Sequence, residues 1–245
     1  MNVENHGAKK VVITGGSNGL GFELTKLYLA LKFEVTIIDI VPPALDEKNL
    51  TYFHCDLSNL SEIQETLQKI TYADIVVNNA AIIAKKPFFQ QTTKEITQQI
   101  SINILAPTII AKDFMHKNPK IHIVNISSSA AFIPTPNASI YGASKAFLSR
   151  LSNNLKSEMN EANIVNYELS GMKTSLQKNA GIKGADSRVL LDPQKVAQII
   201  LNKNHFALNQ NFRIGITSKI FYLLCRIFPV KLSEKILGAL FRKLR

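Results

Sequence analysis

Tyr141 and Lys145 stand four residues apart in the stretch Ile140-Tyr141-Gly142-Ala143-Ser144-Lys145. At 3.6 residues per turn, that spacing puts both side chains on one face of a helix. An ammonium beside a phenol favours the phenolate and is expected to draw the phenol down from its ordinary pKa of about 10. A tyrosine so placed becomes a proton donor and acceptor near neutral pH. The same spacing also arises by chance on a surface helix, so its weight depends on the elements around it.

Those elements alternate. Apolar, β-branched runs at Lys10–Thr14, Val35–Ile38, Leu50–His54, Ile75–Val77, Ile121–Ile126, Ile164–Leu169 and Phe212–Ile214 read as buried strands. Helical patterns fall between them, at Phe22–Leu31, Leu60–Ile70, Thr93–His116, Tyr141–Asn160 and from Pro193 to about Asn202. Ser58 or Ser61 is the expected cap of the second helix, and Pro107 is expected to kink or break the third. The pattern predicts one doubly wound Rossmann-type α/β domain, a parallel seven-stranded sheet flanked by helices, over residues 1–211. Residues 212–245 form a C-terminal helical appendage, and Ser175–Leu190 is polar enough to be a flap.

Between the first strand and the first helix lies Thr14-Gly15-Gly16-Ser17-Asn18-Gly19-Leu20-Gly21. Glycines there let the chain turn tightly and let a pyrophosphate approach the helix N-terminus, where free N–H groups and the helix dipole favour an anion. Gly15, Ser17, Asn18, Gly19, Leu20 and Gly21 are therefore candidate cofactor contacts. Asp39 ends the second strand, 24 residues after Gly15. Its carboxylate suits the two ribose hydroxyls of an adenosine and repels a 2′-phosphate. No base follows it (Ile40, Val41), and Asn18 rather than a cation precedes Gly19, so NAD(H) is expected over NADP(H).

With these pieces assembled, residues 9–203 resemble the short-chain dehydrogenase/reductase family. The glycine turn matches the family's Thr-Gly-x-x-x-Gly-x-Gly. Asp56-Leu57 looks like its adenine-contacting Asp, and Asn78-Asn79-Ala80-Ala81 like its Asn-Asn-Ala-Gly, with Ala81 for Gly. Asn103 matches the helix Asn that holds a proton-relay water, and Ser128, 13 residues before Tyr141, matches the catalytic Ser in preference to Ser127. Ser170-Gly171-Met172-Lys173-Thr174 looks like Pro-Gly-x-x-x-Thr, with Ser170 for Pro. The resemblance implies an NAD(P)-dependent oxidoreductase interconverting an alcohol and a ketone or aldehyde, with Asn103, Ser128, Tyr141 and Lys145 as its catalytic set. It adds Asp56, Leu57, Asn79, Ala80, Ala81, Gly171, Met172 and Thr174, with Tyr141 and Lys145, to the cofactor contacts. The rival class is a non-catalytic dinucleotide-binding sensor or scaffold on the same fold.

Composition narrows the partners. Two distant cysteines, Cys55 and Cys225, read as apolar thiols and exclude a disulfide scaffold or metal-ligand spacing. The N-terminus carries no apolar leader, so a cytoplasmic location is expected. Of the net charge of +11, +7 lies in residues 212–245, where eight basic residues face Glu234 alone. Ile220–Phe228 is apolar around most of a helical wheel, with Lys219, Tyr222 and Arg226 on a narrow polar side. Lys231–Arg245 divides into an apolar half (Leu232, Ile236, Leu237, Leu240, Phe241, Leu244) and a basic half. Such a helix can lie in an anionic membrane interface, roof a pocket, or join a homo-oligomer, dimer or tetramer. Peripheral membrane contact through 217–245 fits a hydrophobic substrate, long-chain, sterol-like or retinoid-like. No nucleic-acid motif is present.

Overall fold

The computed structural model describes residues 8–173, 190–204, 208–229 and 232. Its strands are β1 (Lys10–Thr14), β2 (Glu34–Asp39), β3 (Leu50–His54), β4 (Ile75–Asn78), β5 (His122–Ser128), β6 (Asn163–Leu169) and β7 (Asn211–Ile214). They form one parallel sheet in the order β3-β2-β1-β4-β5-β6-β7. The helices are α1 (Gly19–Ala30), α2 (Leu60–Lys69), α3 (Thr93–Ile100), α4 (Ala106–Lys117), α5 (Ser139–Glu158), α6 (Pro193–Asn204) and α7 (Ile216–Ile227). The doubly wound parallel sheet expected from the alternating pattern is the one observed.

The solidly apolar inner strands follow from burial on both faces, because successive side chains of a strand point opposite ways; β3, expected to be buried, is an edge strand with Thr51 and His54 exposed. Val11 and Ile13 pack with Leu24 and Tyr28 of α1 and with Val196 and Ile200 of α6. Val12, between them, joins Ile63 and Leu67 of α2 and Ile110 and Phe114 of α4 in the opposite layer. The chain leaves β1 for β2 and β3, then crosses back to β4 on β1's other side. That reversal opens a crevice at the carboxyl ends of β1 and β4.

Three local readings differ from the structure in whole or in part. The cap of α2 is Asn59, not Ser58 or Ser61; its side chain accepts from the Ser61 amide, and its Nδ2 donates to Glu62. An amide side chain there satisfies a free first-turn N–H as well as a hydroxyl does. Near Pro107 the α-helix is interrupted, but the helical stretch does not end. A π-helical turn over Ser101–Leu105 joins α3 to α4, and Pro107 falls in the first turn of α4. The wider turn accommodates the missing proline N–H, and it places Asn103 at its centre. Finally, α7 starts at Ile216 and Tyr222 faces the protein rather than a polar outer side; its ring packs on Phe132 and Arg213. The proposed flap lies almost wholly outside the described residues, as does Lys231–Arg245 except Leu232. Among the described residues no helix is long and apolar enough to cross a membrane.

Candidate active site

The cleft at the crevice has a volume of about 420 Å³ and is built from the ends of six strands, β1 to β6. Its floor is the glycine turn after β1. Gly15 and Gly19 have φ of 65° and 55°, the left-handed region that glycine adopts without strain. A Cβ on Gly21 would run into the Gly15 carbonyl and the Asn79 amide. Asn18 precedes α1 without a side-chain capping bond, so free first-turn amides of α1 remain for a ligand. The cradle therefore fits the pyrophosphate of a dinucleotide.

Neighbouring strands hold this turn. The Thr14 hydroxyl accepts from the amides of Asn79 and Ala80 at 3.1 Å each. Asn79 Nδ2 in turn donates to the carbonyls of Thr14 and Gly15, both at 3.0 Å. Asp39 accepts from the Ser17 amide at 3.0 Å and from the Val41 amide at 3.3 Å. The Ser17 hydroxyl donates to the Val41 carbonyl at 2.5 Å. Asp39 is thus a brace for the turn as well as a wall of the cleft. Asp56 accepts from the Ser58 amide at 2.8 Å and lines the same wall with Leu57.

The opposite end carries Ser128, Tyr141 and Lys145, all facing the cleft. Tyr141 and Lys145 come from α5, which small polar residues fix against the sheet. The Ser127 hydroxyl donates to the Lys145 carbonyl at 3.0 Å and pairs with Ser149 at 2.9 Å. Deeper, Asn78 donates to Asn125, and Asn125 to Ser152, both at 2.8 Å. Lys145 Nζ donates to the Ile126 carbonyl at 2.9 Å and stands 5.7 Å from the centre of the Tyr141 ring.

A family model described as short chain dehydrogenase matches residues 9–185. The chain belongs to the short-chain dehydrogenase family. It is 28% identical over 177 residues to the Dehydrogenase RED2 of Cochliobolus heterostrophus, covering 68% of this chain and 65% of that one. The chain spans between half and about two thirds of the length of the first such relatives. Among solved structures, a Burkholderia cenocepacia short chain dehydrogenase in complex with NADP has TM-score 0.83 at 14% identity, covering 94% of this chain and 98% of that one. A 4-hydroxyisoleucine dehydrogenase complexed with NADH has TM-score 0.75 at 24% identity, covering 84% and 97%.

Within this short-chain dehydrogenase chain, the structure gathers Gly15, Asn18, Gly19, Leu20, Asp39, Asp56 and Leu57 along one side of the cleft. Asn79, Ala80, Ala81, Ser128, Tyr141, Lys145, Gly171 and Met172 also line it. Ser17, Gly21 and Asn103 stand behind the wall. Asn103 is buried, and its amide is held on both sides of Ile82, accepting from the nitrogen and donating to the carbonyl at 2.9 Å each. It also donates to the Ser144 hydroxyl at 3.1 Å. Thr174 lies outside the described residues.

Electrostatics corrects one expectation. Burial pushes the Tyr141 phenol above its ordinary value, and the Ser128 hydrogen bond pulls it back only in part. Burial also lowers Lys145, to about 8. A desolvated ammonium this far from the ring does not offset the desolvation of the phenol.

Two features went unread in the sequence. Ile82, Ile83 and Ile102 line the cleft with apolar surface, and nothing in their spacing singled them out. Ser170, which stands where the family pattern has Pro, is the second. It donates its N–H to the Ile214 carbonyl at 3.0 Å, a bond proline could not make. Its hydroxyl accepts from the Ser218 amide at 3.0 Å and from Thr217 at 2.6 Å, tying the end of β6 to the start of α7.

Proposed function

We propose that this chain is an NAD(P)-dependent oxidoreductase that interconverts an alcohol and a ketone or aldehyde on a hydrophobic small molecule. The observation that carries the reading is the joint presence of Ser128, Tyr141 and Lys145 at one end of a cleft whose other end is an open, uncapped helix N-terminus beside Asp39. When bound, a nicotinamide nucleotide gives or takes the hydride at the substrate carbon. Ser128 holds the substrate oxygen by hydrogen bond. Tyr141 gives that oxygen its proton in reduction and removes it in oxidation. Lys145 places positive charge beside the phenol and returns protons to it. Asn103 fixes Ile82 and the π turn, and so holds the wall against which a relay water would sit.

Gly15, Asn18, Gly19, Leu20, Asp56 and Gly171 hold the nucleotide. The Asp39 carboxylate selects NAD(H) over NADP(H), with no cation among the described residues beside it to receive a 2′-phosphate. Ile82, Ile83 and Met172 support an apolar substrate, long-chain, sterol-like or retinoid-like. A non-catalytic sensor would not need this set intact. Residues 1–211 act as the catalytic domain together with the rest of β7, which pairs with β6, and the residues after β7 act as an appendage. The working form is a homo-oligomer, dimer or tetramer, in the cytoplasm, with contact to anionic membrane through 217–245. The test is a panel of apolar aldehydes and ketones with NADH and NADPH, alongside direct measurement of nucleotide binding. Tight NADH binding with no turnover across the panel would favour the sensor instead.

A further inference from the structure

The helix α7 carries an apolar stripe on its exposed side. Ile216, Ile220, Leu223 and Ile227 are 71%, 49%, 56% and 62% exposed. Their spacing of four, three and four residues forms one stripe. Phe228 and Leu232 continue the exposed apolar surface past the helix end. The side facing the protein is mixed: Thr217, Ser218, Phe221, Tyr222, Leu224 and Cys225 are buried or half-buried. Ser218 donates its N–H to Ser170 and its hydroxyl to the Glu168 carbonyl at 2.9 Å. Tyr222 packs under the Arg213 guanidinium, 3.3 Å from its ring centre, and meets the Phe132 ring edge-on. Cys225 Sγ donates to the Phe132 carbonyl at 3.1 Å. These contacts fix which side of α7 faces outward, and that side is apolar.

The charges beside the stripe are of one sign. Lys219 and Arg226 are exposed on the same flank, and no acidic residue occurs between 212 and 229. A helix of twelve residues is about 18 Å long, too short to cross a bilayer but suited to lie along its surface. A second copy packed isologously on this stripe would set Lys219 and Arg226 of one copy near those of the other, an unfavourable pairing of like charges.

We propose that the outer face of α7 docks on an anionic phospholipid surface, with Ile216, Ile220, Leu223 and Ile227 in the interface and Lys219 and Arg226 among the headgroups. This deepens the membrane contact in the reading above and assigns it to a defined face, and its consequence for substrate rests on that reading. The hydroxyl of Ser170, next to the cleft residues Gly171 and Met172, and Phe132, four residues past Ser128, hold the inner side of α7. A docked α7 therefore sits over the substrate end of the cleft, where an apolar alcohol or carbonyl leaving the lipid would enter.

The experiment is co-sedimentation of the full chain with vesicles of phosphatidylcholine alone and of phosphatidylcholine mixed with phosphatidylglycerol. Wild type is expected to bind the mixed vesicles and to leave the neutral ones largely free. Ile220→Glu/Leu223→Glu is expected to weaken that binding by about tenfold or more. Lys219→Glu/Arg226→Glu, which leaves the apolar stripe untouched, is expected to lose binding to a similar extent and to abolish its salt sensitivity. NADH binding followed by fluorescence should be unchanged in both variants, which shows that they are folded and keeps this test separate from the catalytic reading. Wild type that ignores the mixed vesicles, or variants that bind them as wild type does, would overturn the proposal. So would an Ile220→Glu/Leu223→Glu chain that goes from dimer to monomer without lipid, since the face would then belong to a second copy.

Discussion

Lys145 Nζ donates to the Ile126 carbonyl at 2.9 Å while lying 5.7 Å from the centre of the Tyr141 ring. One residue of α5 thus grips the sheet and places its charge near the phenol. The helix pitch made the pair neighbours, but β5 decides where the ammonium points.

Tyr141→Phe removes the only proposed proton donor and leaves the ring in place. Turnover should fall by about 10³-fold or more, with NADH binding nearly unchanged by fluorescence titration. Undiminished turnover would remove Tyr141 from the mechanism.

The two serines at the end of β5 should separate cleanly. Ser128 faces the cleft and hydrogen-bonds Tyr141, whereas Ser127 is buried against Lys145 and Ser149. Ser128→Ala should lower kcat by about 10²-fold with little change in unfolding midpoint. Ser127→Ala should cost about 1–2 kcal/mol of stability, measured by urea unfolding, with a much smaller loss of kcat. The reverse pattern would make Ser127 the catalytic serine.

Direction of catalysis should depend on pH. Burial raises the Tyr141 phenol, so its protonated form, the one that donates to a carbonyl, dominates at neutral pH. Burial depresses Lys145 to about 8, so its charge is lost as pH rises through that value. Reduction should be favoured at neutral pH and decline above about pH 8, while oxidation, which needs the phenolate, should climb with pH. Lys145→Met should flatten the limb near 8 in the kcat/KM profile for reduction. A limb that survives this change would belong to another group.

Asp39→Ala should weaken NAD(H) binding more than NADP(H) binding. Because Asp39 also braces Ser17 and Val41, affinity for both nucleotides should drop somewhat, and the ratio is the diagnostic quantity. A wild type that prefers NADPH in calorimetric titration would contradict the assignment.

Away from the site, Thr92 and Glu95 form a capping box at α3, and Lys86 pairs with Glu95 at 2.7 Å. Hydrogen bonds from Lys86 and Thr92 hold the Glu95 carboxyl down to about 2. Its folded pKa is depressed, so its contribution is present above the ordinary carboxylate range and fades as pH falls toward about 2. Thr92→Ala should cost about 1 kcal/mol at neutral pH in a denaturant titration, and the difference from wild type should shrink in acid.

The elements and the nucleotide turn were legible in the sequence because they are local. Val11–Ile13 and Ile75–Val77 are apolar at every position, as only strands buried on both faces require. Gly15 follows β1 directly, and Gly19 and Gly21 fall in the first turn of α1. What was less legible depended on partners remote in the chain. Asn59 could not be told from Ser58 and Ser61 as a cap, since all three carry acceptors. The pKa of Tyr141 was expected to fall from Lys145 alone, and burial, which spacing does not encode, reversed the direction.

The sequence by itself determined the doubly wound sheet, the cofactor turn and the pairing of Tyr141 with Lys145, because periodicity and short-range stereochemistry act over a few residues. Only the tertiary structure decided that Ser127 is held by Ser149 of α5, that Asn103 clamps Ile82 21 residues away, and that Ser170 holds α7 with its apolar stripe outward. Each of these turns on hydrogen bonds between strand ends and helices distant in sequence. Their geometry exists only once the sheet has set the distances.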